Sequence, residues 1–163
     1  MIFVSHACSP TLFMYGKALQ SVSEYKYLGV TVLEGSRFTT ATLKPLIRFR
    51  SSANSILNAQ NRSSEPMLMK LLYTICVPHL TYASEAVGST YTSKQLQSMN
   101  VALNDSIRRI FGYNRWESIR FLRLSFGYPS QTDIFHARSC KFFKKMRGIG
   151  NSTLIKLIDL SCH

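Results

Sequence analysis

Acidic side chains are what this sequence has least of. Its 163 residues hold 8 Asp and Glu against 20 Lys and Arg, a formal net charge of +12. The carboxylates are Glu24, Glu34, Glu65, Glu85, Asp105, Glu117, Asp133 and Asp159, and no two are adjacent. Chemistry that uses two metal ions needs carboxylates held close together, and nothing in this spacing supplies them. Cysteine is also thin. Cys8, Cys76, Cys140 and Cys162 form no C-x-x-C pair, and Cys162-His163 has no partner pair upstream for zinc. With no export signal to support a disulfide framework, free thiols are expected. A phosphate-cradling Gly-rich loop and a G-x-S-x-G nucleophile turn are both missing. So is a long apolar run. Met67 to Leu80 is broken by Lys70, Pro78 and His79, and falls short of the roughly 20 residues a bilayer crossing needs. These absences predict no catalytic residue, no metal or other cofactor bound by this chain, no small-molecule substrate and no membrane span. They also predict an intracellular location, nuclear or cytoplasmic.

Hydrophobic residues make up 45% of the chain and charged residues 17%, enough apolar surface for a packed core. The basic excess points to a polyanionic partner. It is concentrated between Arg108 and Arg147, where Arg108, Arg109, Arg115, Arg120, Arg123, Arg138, Lys141, Lys144, Lys145 and Arg147 face only Glu117 and Asp133. Aromatic residues are interleaved with these cations, among them Tyr113, Trp116, Phe121 and Phe126. Basic groups neutralise phosphates and exposed rings stack on bases. Phe142, Phe143 and Met146 have helical spacing and read better as core than as a platform.

Hydropathy patterning divides the chain. Ile2–Val4, Thr11–Tyr15 and Tyr25–Val32 carry strand signals, and Glu34-Gly35-Ser36 reads as a turn. Everything after Phe38 reads as helix. Leu43, Leu46, Ile47, Ala53, Ile56 and Leu57 suggest one apolar face, with a firm start near Lys44. Ser63 or Ser64 caps a second helix whose face is Leu68, Leu71, Leu72, Ile75 and Cys76, and Pro78 should kink or end it. Thr92 or Ser93 caps a third, with Leu96, Met99, Leu103, Ile107 and Ile110 inward and Gly112 as a stop. A shorter helix is expected over 115–124. Ser130-Gln131-Thr132-Asp133 has the capping-box form and opens a helix to Gly148, and Ser152 caps a last short one. The fold class is therefore mainly α, a helical bundle preceded by a small antiparallel β unit.

Several segments resemble, in order, the C-terminal part of non-LTR (LINE-type) retrotransposon reverse transcriptases. Tyr25-Lys26-Tyr27-Leu28-Gly29-Val30 resembles the K-Y-L-G-V segment, preceded by Met14-Tyr15-Gly16-Lys17-Ala18-Leu19 and Val22-Ser23-Glu24. Met69-Lys70-Leu71-Leu72-Tyr73 and Pro78-His79-Leu80-Thr81-Tyr82 resemble K-x-x-L-(Y/F)-x-x-x-x-x-P-x-L-x-Y. Val101-Ala102-Leu103-Asn104-Asp105-Ser106-Ile107-Arg108-Arg109-Ile110-Phe111-Gly112 resembles the V-A-Y-N-D-A-x-R-x-L helix. The resemblance runs from near residue 2 to near 158. It implies a primer-grip β remnant over 1–37 and a helical thumb with its extension over 38–163. Tyr27, Leu28 and Gly29 would match the primer grip. Lys26, Arg108, Arg109, Arg115, Lys141, Lys144, Lys145 and Arg147 are the expected contacts to a template–primer duplex of RNA and DNA, held without sequence preference. The family's magnesium-binding palm has no counterpart here, so the resemblance implies a fragment of an RNA-directed DNA polymerase without polymerase activity of its own. The alternative is a structural or non-functional remnant of a decayed element with no specific partner.

Overall fold

Helix dominates the chain, and two small antiparallel sheets precede it. The computed structural model describes residues 13–20, 22–34, 39–58 and 63–149. The expected strand Ile2–Val4, the expected turn at Gly35-Ser36 and the helix expected after Ser152 lie outside these residues.

Strands β1 (Phe13–Met14) and β2 (Lys17–Ala18) form a minimal hairpin. Its two central residues, Tyr15 and Gly16, have φ of 51° and 74°, the positive pair that a type I′ turn requires. The same turn recurs where the sequence predicts a single strand over Tyr25–Val32. That stretch is instead two strands, β3 (Glu24–Tyr27) and β4 (Val30–Leu33), paired antiparallel with Tyr27 opposite Val30. Leu28 at φ 46° and Gly29 at φ 85° make the reversal. The unbroken alternation of aromatic and β-branched residues hides a turn that only Gly29 announces. Strand β5 (Thr39–Thr40) adds to the other edge of β4, so the sheet continues just past Phe38, where helix alone is expected.

Three helical segments build the core. Helix α1 (Leu43–Asn58) buries Leu46, Phe49, Ala53 and Leu57. The predicted face is corrected here: Leu43 and Ile47 point outward, Ile47 being 56% exposed, and Phe49 is fully buried in their place. Next comes a run in three parts: α2 (Glu65–Leu71), a wide π-turn (Leu72–Cys76) and α3 (Val77–Thr81). Pro78 lacks an amide proton but does not end this run, because the π-turn just before it accommodates the break. Within it Val77 N–H donates to Leu72 O, five residues back. Ile75, expected inside, is turned out and half exposed. The run stops at Tyr82, which is extended, and Ala83, which is left-handed.

The third core segment is α5 (Ser93–Phe111), which follows the short α4 (Ser84–Val87) and a single 3-10 turn (Gly88–Thr90). Its boundaries are those the sequence predicts. Thr92 and Gln95 form a reciprocal capping box, and Gly112 closes the far end at φ 67°. Met99, Leu103, Ile107 and Ile110 are buried against α1 and α2. The expected helix over 115–124 shortens to α6 (Arg120–Ser125), since Asn114–Glu117 is a turn. Helix α7 (Gln131–Gly148) starts at the predicted Ser130–Asp133 capping box, where the Ser130 hydrogen bonds hold the Asp133 carboxyl below its ordinary range. Phe135 is its core anchor, and Phe142, Phe143 and Met146 are half-buried. Among the described residues no helix is long and apolar enough to cross a membrane.

Two predictions test this packing. Phe49→Ala should cost about 3–5 kcal/mol of stability, while Ile47→Ala should stay within about 0.5 kcal/mol; urea unfolding of both variants checks the corrected face. The second concerns Tyr73, which stacks on Tyr128 at 4.3 Å and donates to Pro129 O at 2.9 Å. Burial pushes its phenol up to about 12. The folded state therefore holds the proton more tightly than the unfolded chain. The associated stability is intact below about pH 10 and lost as pH rises toward 12. Thermal melts should show this alkaline loss, and Tyr73→Phe should flatten it.

Candidate nucleic-acid interface

Helix α1 contains three cations, Lys44, Arg48 and Arg50, and no carboxylate. Lys44 and Arg48 are one turn apart and so share a face. This face borders the β3–β4 hairpin, and together they enclose a depression of about 550 Å³. Lys26, Lys44, Arg48 and His79 line it, with Gly29 and Tyr82 at its edge. Glu24 Oε1 is 3.7 Å from Lys44 Nζ. Both groups are well exposed, and such a pair holds little energy. His79 Nε2 lies 3.2 Å from Ser52 Oγ, tying α3 to α1.

The hairpin is fixed to the helices from a distance in sequence. Tyr82 Oη donates to Leu28 O at 2.9 Å, and the Tyr82 ring lies against Gly29, where a Cβ would come within 3.1 Å of Cε1. Thr40 Oγ1 meets Thr90 Oγ1 at 3.2 Å, and Gln95 Nε2 donates to Thr40 O at 2.9 Å. The expected grip residues Tyr27, Leu28 and Gly29 thus form the tip of a clamped turn, with both side chains exposed. Two segments separated by some fifty residues, the Tyr-Leu-Gly turn and Pro78–Tyr82, meet at one hydrogen bond.

The other expected cations are dispersed. Lys26 lies in the depression just described. Arg108 is turned inward. Its NH1 reaches Asp105 Oδ1 at 2.9 Å and its Nε donates to Glu117 O at 3.0 Å, so it braces the loop after α5. Arg109 is exposed and donates to Asn54 Oδ1 at 2.7 Å. It joins Arg50 and Asp105 around a second hollow on the far flank of α1. Arg115 is exposed at a turn tip. On α7, Lys141 and Lys145 lie beside Arg138, which bonds Thr81 O and Glu85 Oε1. Lys144 lies about 60° around the helix from Lys141 and Arg147 about 60° further on, both exposed. The α1 cations Lys44, Arg48 and Arg50 are absent from the sequence-based selection. The signal that marks them is a sixteen-residue amphipathic helix without a single acid.

Among the described residues no group of three or more His, Cys, Asp or Glu is placed to hold a metal ion. Cys76 is buried, which pushes its thiol up to about 11, and Cys140 is exposed; both are free. Compared with family models, with curated proteins and with solved structures, the chain matches none.

The clamp yields a prediction. Gly29→Ala should destabilise by about 1–2 kcal/mol from its left-handed φ alone, and more from contact with the Tyr82 ring. Tyr82→Phe keeps that ring and should lose about 0.5–1.5 kcal/mol with its hydrogen bond. Adding Tyr82→Ala to Gly29→Ala should relieve the contact but not the backbone strain, which denaturant midpoints of the three variants would resolve.

Proposed function

We propose that this chain holds the sugar–phosphate backbone of a template–primer duplex, as the primer grip and thumb of a LINE-type reverse transcriptase would. The observation that carries this reading is the acid-free face of α1. Lys44 and Arg48 stand on one flank beside Lys26 and the clamped Leu28-Gly29 turn. Arg50 and Arg109 stand on the other. Backbone charge is a sequence-independent handle. On α1 these cations are accompanied by the short polar side chains Ser51, Asn54 and Ser55 and by the exposed Leu43 and Ile47. Gly29, with the Tyr82 ring against it, lines the same depression. The chain's part in such an assembly is to bind and orient, with the polymerase chemistry supplied by another element.

The second reading, a helical remnant with no specific partner, has its own support. Phe13, Met14, Tyr15, Tyr25, Tyr27 and Leu28 are all exposed on the two sheets, and a strand edge with apolar rings is an aggregation hazard.

Salt-dependent binding separates the two. On an RNA–DNA hybrid of arbitrary sequence, Lys44→Ala, Arg48→Ala and Arg50→Ala together should weaken binding and flatten the slope of log affinity against log salt. The expected change is about two to three units, from roughly 0.7–0.9 per phosphate contact. The same three changes, compensated by lysines at the exposed positions Met67, Gln97 and Val101, should bind as poorly. Full recovery in the compensated variant would mean that position is irrelevant, and the remnant reading would stand.

A further inference from the structure

The turn after α5 displays the chain's single tryptophan. Asn114 and Glu117 are its ends, with Glu117 N–H donating to Asn114 O at 3.1 Å, and Arg115 and Trp116 are its two corner residues. Asn is a favoured first residue of such turns. The turn is pinned from three sides. Asn114 N–H donates to Glu117 Oε2 at 2.7 Å, Asn114 Nδ2 reaches Oε1 at 3.4 Å, and Arg108 Nε holds Glu117 O at 3.0 Å. Ile119 is buried just beyond. The backbone is thus fixed while the Trp116 ring is left 83% exposed. On α6, which follows at once, Leu122 packs toward the core. Phe121, 81% exposed, and Leu124 face out with Arg120. The only carboxylate in this segment, Glu117, is occupied in closing its own turn.

We propose that Trp116 and Phe121 form a stacking platform for unpaired bases of a single nucleic-acid strand, with Arg115 and Arg120 on its phosphates. Flat exposed rings on rigid supports, flanked by cations, are what sequence-tolerant binding of single strands uses. Charge complementarity selects the occupant, since each exposed ring directly follows an exposed arginine in the chain, Arg115 before Trp116 and Arg120 before Phe121. A lipid surface fits less well. Interfacial insertion draws on a long amphipathic helix, and α6 has six residues. This surface uses none of the α1 cations, so it stands apart from the duplex-holding reading and can fail without it.

Trp116 is its own reporter. Titrating the full chain with an oligothymidine strand should quench its fluorescence. Trp116→Ala should lower affinity for that strand about 5- to 150-fold, the equivalent of one base lost from its stack. Trp116→Phe should restore most of it, and Phe121→Ala should weaken it similarly. Blunt RNA–DNA hybrid should bind Trp116→Ala and parent alike, because a duplex offers no unpaired face. Because Trp116 is exposed, circular dichroism of the variants should match the parent. The proposal is overturned if the strand saturates the protein without quenching. Equal affinity of Trp116→Ala and parent for the strand would overturn it too. So would anionic lipid vesicles that shift Trp116 emission to the blue and are not displaced by the strand, since a membrane would then be the occupant.

Discussion

A proline in the middle of a core helix sets the terms for the rest of this structure. Pro78 cannot donate the hydrogen bond an α-helix needs at that point, yet buried residues continue on both sides of it, from Leu68 to Thr81. The π-turn over Leu72–Cys76 reconciles the two. In an unbroken α-helix of 3.6 residues per turn, Leu80 would lie about 120° around from Leu68. One residue taken up by the wider turn brings it back to within about 20°. Leu68, Leu72, Cys76 and Leu80 can then face α1 and α5 together, and Ile75 is the residue displaced outward. The same offset aims His79 at Ser52 and carries Tyr82 to the hairpin. Wide turns of this kind concentrate at functional positions in helices, and here the turn decides where the hairpin and its basic depression sit.

Legibility from sequence followed how local each determinant is. Helices α5 and α7 were readable to their ends because Thr92–Gln95 and Ser130–Asp133 close boxes within four residues, and Gly112 marks a stop. The π-turn was not readable, since its register is settled by packing against two other helices. The Leu28-Gly29 reversal was hidden for a related reason. A leucine at positive φ is a strained choice for which nothing nearby accounts, and the turn is held by Tyr82, 54 residues away. In α1, spacing alone left Ile47 and Phe49 both eligible for the core. The partner helices choose between them.

The candidate interface shows the same division. Charge density along the chain is highest over 108–147, and the sequence reading placed the phosphate contacts there. The fold redirects part of that charge inward: Arg108 braces a loop and Arg138 ties α7 to α3 and α4. A count of cations cannot tell a structural arginine from an exposed one, because Arg offers five donors that serve backbone carbonyls as readily as phosphates. What a count can show is where acids are missing. Helix α1 has none over sixteen residues, and that absence, more than the number of cations, identifies its surface as unbalanced.

An unbalanced face has a cost that bears on its purpose. A surface shaped for solubility alone mixes both signs, because like charges one turn apart repel. Lys44 and Arg48 stand in that relation, while Arg50 lies on the other flank of the helix. Among the described residues Glu24 pairs with Lys44 at one end, and Asp105, beside Arg50 on the far flank, is already engaged by Arg108. Elsewhere the chain does neutralise its cations, as Glu85 does for Arg138 and Asp105 for Arg108. The contrast is therefore positional and not a uniform drift in composition. Arg108 and Arg138 have partners that complete the fold, and on the reading proposed above a polyanion lying across α1 would relieve the repulsion between Lys44 and Arg48.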